Sequence, residues 1–167
     1  MFKIGQIAVY RREVCTLVAI DRKYQNDEDY YVLVPVDNNT LTIRLPISHA
    51  KGVLRPLITK AEVEDLIGRI PDIETVSINS WSHASEYRDL LSSSSHEDLI
   101  RIIKTAYLRQ QDRTDKHQKV NENDKVYYRT AEKLLYSEIA AVLKLTYEEA
   151  RDFVVTRVSA LATPEVA

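Results

Sequence analysis

Tyr30-Tyr31-Val32-Leu33-Val34-Pro35-Val36, then Asp37-Asn38-Asn39, then Leu41-Thr42-Ile43-Arg44-Leu45 read as strand, turn and strand. The first run is rich in aromatic and β-branched residues, and the last alternates apolar and polar with period two. Asn tolerates positive φ, so the middle segment suits a tight turn. Upstream, Cys15–Ile20 is a further apolar run, and Phe2, Ile4, Ile7 and Val9 form a looser one broken by Gly5. The polar stretch Asp21–Asp29 between Cys15–Ile20 and Tyr30–Val36 reads as a hairpin loop. Short strands this close leave no room for crossover helices, so the expected N-terminal module is a small antiparallel sheet curled into a barrel.

Beyond Pro56 the pattern changes to helical. Thr59-Lys60-Ala61-Glu62 is a capping box opening a short helix through Val63, Leu66 and Ile67. Ser85–Leu91 reads as another short helix, and Ser95-His96-Glu97-Asp98 starts a longer one. That helix has an apolar stripe of Leu99, Ile102, Ile103, Ala106 and Tyr107, with Arg101, Lys104 and Arg109 on its other face. A polar linker is expected over Gln110–Asn121, followed by a long helix capped at Asn123 or Asp124 and carrying Val126, Tyr127, Ala131, Leu134, Leu135, Ile139 and Val142. Thr146-Tyr147-Glu148-Glu149 opens the last helix, with Ala150, Phe153, Val154, Val158 and Leu161 as its buried face. The class is therefore α+β. Residues 1–58 form the sheet module, 59–71 a connecting helix and linker, 72–162 a helical bundle and 163–167 a frayed tail.

Composition narrows the function. The chain has 167 residues, 44% hydrophobic and 29% charged, ordinary values for a globular protein. A net charge of −2 gives the whole molecule no strong grip on phosphates, so any contact with nucleic acid must be local or helped by a tether. Only Gly5, Gly52 and Gly68 are present, which excludes a glycine-rich phosphate cradle. Cys15 has no partner for an internal disulfide and reads as a small hydrophobe. His49, His83, His96 and His117 are scattered without metal-ligand spacing, and His96 reads as a surface residue. No serine sits in a nucleophile elbow. A non-catalytic protein without cofactor or metal is expected. Met1–Gln6 lacks the pattern of a signal peptide, so the expected location is the cytoplasm.

Two features point to binding. Between residues 100 and 130 the basic side chains Arg101, Lys104, Arg109, Arg113, Lys116, Lys119, Lys125 and Arg129 are interrupted by Asp112, Asp115, Glu122 and Asp124. Their simplest reading is a solvated helical surface. The other feature is Ser77-Ile78-Asn79-Ser80-Trp81-Ser82-His83, which holds the only tryptophan. Its polar flanks suit a helix entry, where the indole either anchors a partner or clamps two domains together.

The order of these motifs resembles the CarD/CdnL family of bacterial RNA polymerase-binding transcription regulators. The likeness runs through Phe2-Lys3-Ile4-Gly5-Gln6, Ala8-Val9-Tyr10, Tyr30-Tyr31-Val32-Leu33, Leu41–Pro46, Gly52–Ile58 and Asn79-Ser80-Trp81-Ser82, and covers nearly the whole chain. It implies a Tudor-like N-terminal domain, shared with the transcription-repair coupling factor, that docks on the polymerase β subunit. It also implies C-terminal helices that meet promoter DNA at the upstream fork of the melted bubble. By this likeness Arg44 is a polymerase contact, Arg22 and Lys23 a second basic contact, Trp81 a minor-groove wedge and Lys125 a phosphate contact. The chain departs from the family in two places. Arg11-Arg12-Glu13 replaces a proline and glycine-rich turn, and His83-Ala84-Ser85-Glu86 replaces basic residues after the tryptophan. Arg88 restores one of those basic residues if two residues are inserted, so Arg88 and His83 join Trp81 and Lys125 as the expected DNA contacts. The alternative is a protein–protein adaptor on the polymerase that never touches DNA.

Overall fold

A computed structural model describes residues 1–76, 84–93 and 95–162, Ala162 by its backbone only. Its contacts divide the chain into two compact units, Met1–Ile58 and Thr59–Ala167.

The first unit is a five-stranded antiparallel sheet: β1 (Ile7–Tyr10), β2 (Glu13–Gln25), β3 (Glu28–Pro35), β4 (Ile43–Pro46) and β5 (Leu54–Pro56). The order is β4-β3-β2-β1-β5, with a 3-10 turn at Ile47–His49 before the last strand. The sheet is open: β4 and β5 are its two edges and no ladder joins them. One face gathers Ala8, Cys15, Leu17, Tyr31, Leu33, Leu45 and Leu54 into the core. Ile43 and Leu45 lie on this core side while Arg44 is exposed, as alternation requires. Cys15 is fully buried, and burial pushes its thiol up to about 11, so it packs as an apolar residue.

Two turns differ from expectation. The polar stretch after Ile20 is not a loop, because β2 continues through Gln25. The chain reverses on Asn26 and Asp27, both at left-handed φ (52° and 58°), the geometry of a two-residue turn matched to strand twist. The outer part of this hairpin is exposed, so its strands carry polar residues without loss. The β1–β2 turn uses Arg11 at φ 56° in place of glycine, and the Arg11 N–H donates to the Val53 carbonyl at 2.7 Å.

The second unit holds five α-helices among the described residues: α1 (Lys60–Arg69), α2 (Ala84–Ser92), α3 (His96–Asp115), α4 (Glu122–Leu143) and α5 (Tyr147–Ala162). Both capping boxes form. The Glu62 N–H donates to Thr59 Oγ1 at 3.1 Å while the Thr59 N–H donates to Glu62 Oε2 at 2.6 Å; Thr146 and Glu149 repeat the exchange at 3.2 Å each way. α1 packs within this unit: Val63, Leu66 and Ile67 are buried, and Glu64 pairs with Arg157 of α5 at 2.9 Å. α3 extends through the first half of the expected linker, to Asp115. Asn121, rather than Asn123 or Asp124, caps α4, its side chain accepting from both of their N–H groups.

Candidate partner-binding surfaces

Arg44 stands on the edge strand β4. It lies opposite Val32 in the β3–β4 ladder, and Asp21 lies opposite Tyr30 in the β2–β3 ladder. Side chains two apart on one strand share a face, so Arg44, Asp21, Tyr30 and Val32 all point away from the core that holds Tyr31 and Leu33. There the Arg44 Nε–H donates to Asp21 Oδ2 at 3.1 Å. The guanidinium carbon sits 4.9 Å from the centre of the Tyr24 ring, and Tyr24 meets Tyr30 edge-on at 5.3 Å. The outcome is a cation held on an aromatic shelf beside a free strand edge.

Arg22 and Asp29 each neighbour a member of that set along the chain and face the other side. Their Nη1–Oδ2 distance is 2.6 Å, and the Lys23 N–H donates to Asp29 Oδ1 at 3.0 Å. These bonds, the one from Arg22 foremost, hold the Asp29 carboxyl below the usual carboxylate range. Arg22 and Lys23 line a hollow of ≈ 420 Å³ together with Ile20 and Ile47. Arg44 and Arg22 therefore present two separate basic sites on opposite faces of one sheet.

In the helical unit, Tyr87 and Leu91 form the buried side of α2, and helical phase turns Arg88 to solvent, where it has no ion pair among the described residues. Lys125 is half-exposed on α4, 3.6 Å from Glu122 Oε1. Trp81 and His83 lie outside the described residues. Several of the other basic residues are committed within the fold. Arg101 donates to the Glu74 carbonyl and to Asp98, and Lys104 donates to the carbonyls of Ile70 (2.8 Å) and Ile73 (2.6 Å). Burial, the larger influence, pulls the Lys104 ammonium below its ordinary pKa. Arg113 donates to the Lys119 carbonyl, and Lys116 pairs with Asp112.

Arg109 departs furthest from expectation. It is buried, not solvated, and its Nε–H donates to Asp124 Oδ1 at 3.0 Å and Oδ2 at 3.1 Å. The Tyr87 hydroxyl also donates to Asp124 Oδ1, at 2.8 Å. Burial is the main reason the Tyr87 phenol is pushed far above its usual range, and the neighbouring carboxylate adds to it. His96 is likewise not a plain surface residue: its Nε2 lies 2.8 Å from Oε1 of the buried Glu138. No sequence motif marks either contact, since the partners are 42 and 15 residues apart and each residue alone looks like surface.

A second cleft, ≈ 360 Å³, is lined by side chains that include Ile103, Tyr107, Tyr128, Glu132, Arg151 and Val155. Arg151 Nε is 3.3 Å from Glu132 Oε2. Burial raises the Glu132 pKa against the opposing pull of Arg151 and Tyr128. Among the described residues no three His, Cys, Asp or Glu side chains gather as metal ligands, and no helix is long and apolar enough to cross a membrane. In comparison with known proteins, no protein-family model matches the chain, and no curated protein matches it significantly.

Proposed function

We propose that this chain is a non-catalytic bacterial transcription regulator of the CarD/CdnL type, acting in the cytoplasm on RNA polymerase. Its sheet unit docks on the polymerase β subunit, and its helical unit meets promoter DNA at the upstream fork of the bubble with Trp81 as a minor-groove wedge. The reading rests on the order of the sequence motifs. The structural observation that carries it is the exposed Arg44 beside the open β4 edge, in a unit separate from the helices. A free edge offers N–H and C=O groups to a partner strand, and a neighbouring arginine adds a charge-assisted bond to a partner carboxylate. The sheet is five-stranded and antiparallel but open, not the closed barrel expected, so a Tudor-like domain rests on the resemblance.

Once the first unit is docked, the second meets DNA at high effective concentration, so weak intrinsic affinity suffices. An aromatic stacked on an unpaired base contributes about 1–3 kcal/mol. Unstacking a duplex step costs a few kcal/mol. Trp81 thus biases a bubble that polymerase has opened and does not melt DNA itself. A tenfold change in bubble lifetime needs only about 1.4 kcal/mol. The test is open-complex lifetime on a purified promoter with the wild type and Trp81→Ala. A lifetime shortened several-fold in the variant, with polymerase binding intact, agrees with the wedge; an unchanged lifetime removes it.

One observation favours a second reading, the adaptor that binds polymerase without touching DNA. Arg101, Lys104, Arg109, Arg113 and Lys116 are all engaged within the protein, which leaves Arg88, Lys119, Lys125 and Arg129 as the more available cations. Footprinting of the polymerase–promoter complex separates the two. New protection at the upstream edge of the bubble supports DNA contact, and an unchanged footprint supports the adaptor.

A further inference from the structure

We infer that Tyr24 and Asp21 are positioning residues that present Arg44 end-on to a carboxylate on an extended partner segment added to β4. This rests on the docking role proposed for the sheet unit. Three observations meet here. Asp21 occupies only the Nε side of the guanidinium, and Nη1 and Nη2 make no hydrogen bond or ion pair among the described residues. The guanidinium carbon lies over the Tyr24 ring, 4.9 Å from its centre, and Tyr24 is itself braced by Tyr30. And β4 is an edge, so a strand paired to it sets its own outward side chain about 5 Å from Arg44 on the same face.

The chemistry follows from the shape of guanidinium. With Nε bonded to Asp21 and the Tyr24 ring beside the group, the planar fork of Nη1 and Nη2 remains to be satisfied. A carboxylate matches that fork with two parallel bonds, and a neutral side chain does not. Holding Arg44 in place also lowers the rotamer entropy lost when the partner arrives. Lysine at position 44 would keep the charge but lose the planar group and its fork. Core packing does not account for Tyr24, which is 46% exposed and projects beyond the core of the sheet.

The test measures affinity of the full-length protein for purified bacterial RNA polymerase β subunit, comparing wild type, Tyr24→Phe, Tyr24→Ala and Arg44→Lys. Phenylalanine retains the ring face, so Tyr24→Phe should bind within about twofold of wild type. Tyr24→Ala should bind about tenfold more weakly, between the sizes of an exposed and a fully desolvated cation–π contact. Arg44→Lys should lose at least as much. In parallel, relaxation of the Arg44 Nε–H in the free protein, measured by NMR, should show an ordered group in wild type and Tyr24→Phe and a mobile one in Tyr24→Ala. Binding by wild type with Tyr24→Ala equally tight overturns the positioning role and leaves the docking site standing. Absence of wild-type binding overturns the docking role and the partner assigned to Arg44 with it. An Arg44 Nε–H equally ordered in all variants overturns the shelf whatever the polymerase does.

Discussion

The two units use the same three residue types in opposite ways. In the helical unit Arg109, Asp124 and Tyr87 meet in the interior, with the arginine and aspartate side chains 5% and 2% exposed. In the sheet unit Arg44, Asp21 and Tyr24 meet on an outer face, the charged pair 41% and 35% exposed. Solvent decides what each can do. Inside, every partner is indispensable because a stripped charge has no water to turn to. Outside, the pair contributes little to stability and remains available to a third party. The buried set fixes helices; the exposed set is free to recognise.

The largest effect is expected for Asp124→Ala, which strips the buried Arg109 of both of its hydrogen bonds to the Asp124 carboxylate. The expected loss is about 3–5 kcal/mol, read from the urea denaturation midpoint. A loss below about 1 kcal/mol would mean that the network does not brace the helices. Next is Tyr87→Phe, which deletes only a hydroxyl from the same cluster and should cost about 1–2 kcal/mol by the same measurement. No loss would show that Asp124 is satisfied without it.

A smaller effect concerns Glu132, whose folded pKa is raised because burial disfavours its charge. A raised carboxyl binds more protons folded than unfolded, so its contribution is fully present below the unfolded pKa and is lost as pH rises through the folded one. Glu132→Gln should therefore be more stable than wild type at pH 7, with the gap closing toward pH 4. A gap that widens on acidification would reverse that sign. The smallest effect belongs to the outer set: Asp21→Ala should change stability by no more than about 0.5 kcal/mol, measured by thermal melting. A loss near that of Asp124→Ala would erase the distinction between the two triads.

The α+β division and both capping boxes are legible in the sequence because each rests on local rules. Period-two alternation places Arg44 outward and Leu45 inward, and Thr-x-x-Glu marks two helix starts. Hydropathy fails where burial is polar. The buried face of α3 includes Ile102, Thr105, Ala106 and Arg109, a helical stripe in which two members look like surface. Thr105 is buried because its Oγ1 accepts the Val76 N–H at 3.1 Å, and Arg109 because Asp124 meets it from another helix. Tyr107, which hydropathy assigns to that stripe, is 55% exposed. The hairpin tip misleads for the converse reason. Its polar run reads as a loop, yet strands that project past the core remain strands when Asn26 and Asp27 supply the turn. For the candidate site, Arg44 is legible from the resemblance, but its pairing with Asp21 and Tyr24 depends on strand register and on a register shift between Asp21 and Gln25.

In the function proposed, the sheet unit tethers the protein to the transcription machine through the β4 edge. The most direct measurement is the affinity of the full chain for purified RNA polymerase β subunit, wild type against Arg44→Glu, with both proteins verified as folded by their melting curves. Specific binding by the wild type, abolished by the charge reversal while the melt is unchanged, is the expected result. Equal binding by both proteins, or by neither, would contradict the claim.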